Sequence, residues 1–339
     1  MIKYIQPVKP SSAQGLVADV YMQIKEDFGK IAEPFLMHSP MPELLAGAWM
    51  VCRETELVGQ VPREIKEAVA AAISKINQCP YCVDAHTIML TAIGEKKTAQ
   101  AISNEQYSSI PDGKMRLIVE WALATNTPTS PLLRSPPFSR QEAPEIIGTA
   151  VFYHYINRMV KVLLSETPLP SNQSWLKNFL KQMAVRMFSR AVNRTKNVGE
   201  SLRFLPKADL PNDLRWAKPA PNIAKAYASF TAAIEKVGDY VLPPAVRAYI
   251  QEEVDVWHGQ TSELSLAWSE DEISKLDPAT QATADLALLT AIAPYEIDKN
   301  IVSTFKKYFP QDDKLVGTLA WASFTAARKI STWIQTPPT

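Results

Sequence analysis

Strand signals are nearly absent from this chain, and that absence restricts its fold more than any other feature. Alternating β-branched runs are few, glycine is scarce at 11 of 339 residues, and the proline falls between stretches of helical periodicity. An all-α fold follows. Between positions 63 and 77, Ile65, Ala68, Val69, Ala72, Ile73 and Ile76 keep the i, i+3, i+4 spacing of an amphipathic helix, with Pro62 at its start. A second helix is expected from Pro80 to about Ile93, halted by Gly94.

A hydrophobic content of 46% supplies ample core for a chain long enough to hold two domains or one duplicated unit. Lysine and arginine total 36 against 35 aspartates and glutamates, so no global field draws the protein to nucleic acid. The first ten residues lack an apolar leader core, and no stretch reaches the ~20 apolar residues of a membrane span. A cytoplasmic protein without stable membrane association is expected. Three cysteines do not build a disulfide framework, and a C-x-x-C pair in a reducing compartment usually signals redox or metal chemistry.

The chain echoes itself. Leu242-Pro243-Pro244-Ala245-Val246-Arg247 resembles Val61-Pro62-Arg63-Glu64-Ile65-Lys66, and the same offset pairs Trp49 with Phe230 and Glu54 with Glu235. Trp121-Ala122-Leu123-Ala124-Thr125 is echoed by Leu286-Ala287-Leu288-Leu289-Thr290, and Gly148-Thr149-Ala150-Val151-Phe152 by Gly317-Thr318-Leu319-Ala320-Trp321. Three weak matches in conserved order suggest two tandem helical units, at 1–165 and 222–339. The second is degenerate: Gln260 stands for Cys79, Glu263 for Cys82, Ala267 for His86 and Ala248 for Glu67.

The connector, 166–221, carries proline-containing stretches at 165–170 and 206–221 around a basic amphipathic segment, 171–197. Trp175, Phe179, Leu180, Met183, Met187 and Phe188 form its apolar stripe, beside Lys177, Lys181, Arg186, Arg190, Arg194 and Lys196. A helix packed on the core with a solvated basic face is expected ahead of a membrane-surface helix. The proline-rich stretch 127–144 is long for a connection within a compact domain, as lids and contact surfaces often are.

Most of the chemical information lies in Cys79-Pro80-Tyr81-Cys82-Val83-Asp84-Ala85-His86. With Pro80 as the first helical residue, Cys79 is the N-cap and Cys82 lies in the first turn, where the helix dipole favours a thiolate. His86, four residues on, shares the face of Cys82. A glutaredoxin-like dithiol would follow a strand, whereas the residues before Cys79 are helical. A closed zinc site from Cys79, Cys82 and His86 lacks a fourth ligand other than Glu67. Buried, inert cysteines are the remaining alternative. The reading preferred here is a redox dithiol with an acid/base partner. If the chain reverses near Gln78, Glu67 lies about 16 Å before the turn and His86 about 12 Å after it at ~1.5 Å per residue, close enough for Glu67 to orient the imidazole.

Glu67, Cys79, Cys82 and His86 at these spacings resemble the active-site pattern of the alkyl hydroperoxidase D family, within the carboxymuconolactone decarboxylase superfamily. The resemblance covers about 40–165, where 148–158 looks like the family's later core helix. It implies an all-helical unit in which Cys82 is the peroxidatic thiol, Cys79 gives a proton and then resolves the sulfenic acid as a disulfide, and His86 and Glu67 form the proton relay. It also implies a small-molecule peroxide as substrate, an external dithiol reductant such as dihydrolipoamide or a redox adaptor protein, no bound cofactor or metal, and homo-oligomeric assembly. Tyr81 stands where some relatives carry histidine. The founding decarboxylases lack the dithiol, so a lyase using His86 and Glu67 alone is a second reading, and a redox-sensing interaction protein a third. His154 and Asn157 are assigned to helix packing ahead of pocket lining, His38 and His258 to structure or surface, and Cys52 to the core.

Overall fold

The computed structural model describes residues 1–168, 183, 185, 196–259, 277–334 and 336. Most of the basic segment 171–197 lies outside these residues, as do Gln260, Glu263 and Ala267. Among the described residues the architecture is helical throughout, its β-type pairing a single antiparallel bridge between Ile2 and Leu164. No helix among them is long and apolar enough to cross a membrane.

The first half supplies α1 (Gly15–Phe28), α2 (Glu33–Leu36), α3 (Pro42–Cys52), α4 (Arg63–Ile76), α5 (Pro80–Ile93), α6 (Lys96–Ser103), α7 (Gly113–Leu123) and α8 (Ala143–Leu163). A π-helical turn, Arg53–Leu57, prolongs α3. The second half supplies α9 (Pro221–Val241), α10 (Pro244–Val256), α11 (Pro278–Ile292), α12 (Lys299–Tyr308) and α13 (Asp312–Trp333). Proline occupies the N-cap or first turn of α2, α3, α5 and α8 to α11, where its missing N–H costs no helical hydrogen bond. The α5 helix ends at Gly94, which adopts φ +108°, as the sequence predicts.

Buried residues of both halves form one contiguous core, in which α3 packs on α9 and α8 on α13. At its centre Tyr155, Phe230 and Phe324 bring rings from α8, α9 and α13 to centroid separations of 4.8–6.0 Å. Gly47 permits the α3 contact, because a Cβ there would lie 2.5 Å from the Phe230 ring. A buried polar clamp adds to this joint. The fully buried Arg53 binds Asp27 at 2.6 Å, Glu54 at 3.1 Å and Glu200 at 2.7 Å, while Glu54 accepts from Gly199 N, Ser201 Oγ and Asn222 Nδ2.

The stretch 127–144 is anchored rather than loose. Phe138 packs edge-on against Trp121 of α7 with centroids 4.8 Å apart, and Leu133 is fully buried. The loop entering α4 is held as firmly: the Glu145 carboxylate accepts from Gln60 N, Val61 N and Lys66 Nζ at 2.7–3.1 Å. Gly59, at φ +109°, makes room for that carboxylate, since a Cβ there would fall 2.3 Å from it. The anchorage sets the position of α4, which carries half of the candidate site.

Candidate active site

Gln78 takes φ +50° and reverses the chain, so α4 and α5 pack against each other on either side of the bend. Cys79 is the N-cap of α5, its N–H bonded to the Ser74 carbonyl at 2.9 Å. Cys82 follows in the first turn and His86 one turn further. From α4, Glu67 reaches across to place Oε2 2.6 Å from Nδ1 of His86. The carboxylate acceptor makes Nδ1 the protonated nitrogen of a neutral ring and leaves Nε2 as the basic one. The contact inferred from helical rise is therefore present.

Beside this bend lies a cavity of about 100 Å³. Cys82, His86, Tyr153 and Cys52 contribute its reactive groups, and Phe28, Phe35, Ile88, Met89, Phe152 and Ile156 much of its apolar wall. Cys79, 1% exposed, is not among the lining residues, so the wall presents Cys82, with Cys79 beside it at the N-cap of α5. The Tyr81 ring also lines the cavity, but its hydroxyl donates to Glu33 at 3.1 Å, and burial and then the Glu33 charge push its pKa up. The Tyr81 hydroxyl is thus held by Glu33 while its ring forms part of the wall.

Behind His86 stands a charge network that the sequence reading did not find. Arg63 donates Nε to Glu67 Oε1 at 2.8 Å and Nη2 to Glu56 Oε1 at 2.9 Å, so one guanidinium serves two carboxylates. Glu56 also accepts from Tyr153 Oη at 2.6 Å, and the Tyr153 ring meets the His86 ring edge-on at 4.6 Å. Burial alone would raise the Glu67 carboxyl, but Arg63 and His86 outweigh it and hold the pKa at about 2. Glu56 goes the other way, raised by burial against the pull of Arg63. Glu56, Glu67 and His86 bring donor atoms within 4.8 Å of one another, a metal-like grouping whose cation is the Arg63 guanidinium. The pairing of Arg63 with Glu67 at i, i+4 was readable in the sequence; the convergence of Glu56 and Tyr153 was not.

One expectation is corrected. A helix start was expected to favour the thiolate, yet burial, followed by contact with the Cys79 thiol, pushes Cys82 well above the ordinary cysteine range. The physical reason is desolvation. Cys82 is 4% exposed, and its closest polar influence is the Cys79 thiol rather than a cation. Cys82 and His86, one turn apart on α5, both line the cavity.

The other candidates separate as follows. Cys52 is buried, as expected, but it also lines the cavity and donates to Glu56 Oε2 at 3.4 Å. His154 bonds Thr125 and Asn77, and Asn157 bonds Ser74; both are packing groups outside the cavity wall. His38 is fully buried between the Pro34 carbonyl and Tyr155 Oη, and His258 is exposed.

Comparison with known proteins places this geometry in context. Residues 43–102 match the carboxymuconolactone decarboxylase family, a span that runs from α3 to α6 and includes Cys52, Glu56, Arg63, Glu67, Cys79, Cys82 and His86. Over 333 residues the chain is 40% identical to a protein of Mycobacterium tuberculosis named alkyl hydroperoxide reductase Rv2159c, covering 98% of this chain and 95% of that one. A likeness that runs from end to end, together with a family match centred on the paired helices of the site, means that the chain belongs to the carboxymuconolactone decarboxylase family.

Proposed function

We propose that the protein is a thiol-dependent hydroperoxidase of antioxidant defence, with Cys82 as the attacking thiol, Cys79 as the resolving thiol and His86 with Glu67 as the proton relay. The observation that carries this reading is the cavity wall itself, which sets Cys82 and a carboxylate-bound His86 on one face of α5. The name of the mycobacterial relative, alkyl hydroperoxide reductase, agrees with it.

In this mechanism the Cys82 thiol gives its proton to His86. The thiolate attacks the terminal peroxide oxygen, the O–O bond breaks, and the electron pair leaves as an alkoxide that takes the Cys79 proton. The Cys79 thiolate then attacks the Cys82 sulfenic acid, an S–S bond forms, and the departing hydroxide takes the proton held on His86. Two thiols and a hydroperoxide thus give a disulfide, an alcohol and water. An external dithiol, a small molecule such as dihydrolipoamide or a redox adaptor protein, returns two electrons and two protons.

The apolar wall suits an organic hydroperoxide. We further read the chain as two related units, the second without the site. Support comes from element order: α3, α4, α7 and α8 recur as α9, α10, α11 and α13, and prolines cap both α4 and α10. An internal pairing of units replaces one subunit contact of a homo-oligomer.

A second reading, a lyase using only the His86–Glu67 dyad, is favoured by one observation, the burial of Cys82 at 4% exposure, which works against a thiolate there. Mass spectrometry after one equivalent of an alkyl hydroperoxide, with and without dihydrolipoamide, separates the two. A Cys79–Cys82 bond that forms and is then reduced supports the peroxidase; thiols that stay free would transfer the case to the lyase.

A further inference from the structure

Glu56 is 1% exposed on the π-helical turn after α3, and the mechanism above does not use it. Its partners are all donors: Arg63 Nη2 at 2.9 Å on one oxygen, Tyr153 Oη at 2.6 Å and Cys52 Sγ at 3.4 Å on the other. Arg63 additionally donates Nη1 to the Glu56 carbonyl at 3.0 Å. Such a donor set favours the ionised carboxylate against the burial that raises its pKa, and it holds Glu56 in one place.

Charge balance gives the arrangement its meaning. Arg63 supplies one positive charge, and Glu56 and Glu67, when both are ionised, two negative ones. With His86 neutral the buried cluster carries a net negative charge; with His86 protonated it is balanced. Uncompensated buried charge is costly, so an ionised Glu56 and a protonated His86 favour one another, as the downward pull of His86 on the Glu56 carboxyl reflects. The groups that face Glu56 are Arg63, Glu67 and Lys66 from α4, His86 from α5, Tyr153 from α8 and Cys52 from α3, with Tyr227 of α9 facing Cys52 in turn. Lys66 is matched by Glu145 at 2.7 Å, which leaves His86 as the group whose protonation balances Glu56.

We infer that Glu56 is a positioning residue whose carboxylate, acting through Arg63 and Tyr153, is the second countercharge that allows His86 to accept the proton of Cys82. The step moves one proton from Cys82 sulfur to the imidazole and no electrons. The inference rests on the reading of Cys82 and His86 as a proton-exchanging pair, but not on what the thiolate attacks afterwards.

The test is the pH dependence of Cys82 alkylation by iodoacetamide, assigned at peptide level, in wild type, Glu56→Gln, Glu56→Asp and Tyr153→Phe. Glu56→Gln is expected to raise the alkylation midpoint by about one pH unit, about tenfold slower at pH 7. It should also lower the midpoint at which the His86 ring titrates by NMR. Glu56→Asp should recover most of both changes. Tyr153→Phe, which removes one donor from Glu56, should move both midpoints in the same directions by less, and it carries the test where Glu56→Gln does not fold. An unmoved midpoint in a folded Glu56→Gln protein, or Glu56→Asp as slow as Glu56→Gln, overturns the inference. Peroxide consumption in wild type is scored separately. Consumption with an unmoved midpoint defeats this inference alone, whereas a moved midpoint without consumption sustains it and defeats the peroxidase reading.

Discussion

Replacing Glu67 with glutamine keeps the volume of a fully buried side chain and removes its charge, so the cost isolates electrostatics. The Glu67 carboxyl is held at about 2, against an ordinary value of 4.5. Two and a half pH units at about 1.4 kcal/mol each make the ionised form about 3 kcal/mol better bound than the neutral one, net of its burial penalty. Arg63 and His86 share that sum, Arg63 taking the larger part. Glu67→Gln should therefore cost about 3 kcal/mol at pH 7, and the coupling to His86→Asn in a double-mutant cycle should be about 1 kcal/mol. The pH dependence has a definite sign. Because the folded-state value is depressed, the stabilisation is fully present above about pH 4.5 and is lost as pH falls toward 2. Urea unfolding of wild type, both single variants and the double variant at pH 7, repeated from pH 5 to about pH 3, measures all of this. A Glu67→Gln protein within about 0.5 kcal/mol of wild type at pH 7, or a gap that does not narrow in acid, would refute the electrostatic account of the relay.

Three further outcomes are expected. Cys79→Ser, treated with one equivalent of alkyl hydroperoxide, should accumulate a dimedone-trappable sulfenic acid at Cys82, while Cys82→Ser should yield no adduct at Cys79; the reverse pattern would exchange their roles. His38 is fully buried and held at about 4, below its ordinary 6.5, so the unfolded chain binds its proton first and stability should fall by about 3 kcal/mol between pH 6.5 and 4. His38→Gln should remove that part of the slope in urea titrations. Gly59→Ala should cost at least about 2 kcal/mol in urea unfolding, because φ +109° is unfavourable for alanine and the new methyl meets the Glu145 carboxylate that holds Lys66; a neutral substitution would mean that the loop yields easily.

The helical architecture and the grouping of four residues of the candidate site were legible in the chain because they are local. Helical periodicity, a proline at a helix start and a glycine after its end depend on neighbours within a turn or two. So does the relation of Cys79, Cys82 and His86, and one bend at Gln78 suffices to bring Glu67 to the imidazole. Tertiary structure decided the rest. Glu56 and Tyr153 lie 97 positions apart and meet only because α8 packs against the π-helical turn. The ionisation of Cys82 was likewise out of reach of sequence, since the helix start is a local property whereas the desolvation that overrides it comes from walls contributed by other helices. Spacing along the chain determines which groups share a face; the dielectric and the countercharges around them exist only once distant segments have closed over the site.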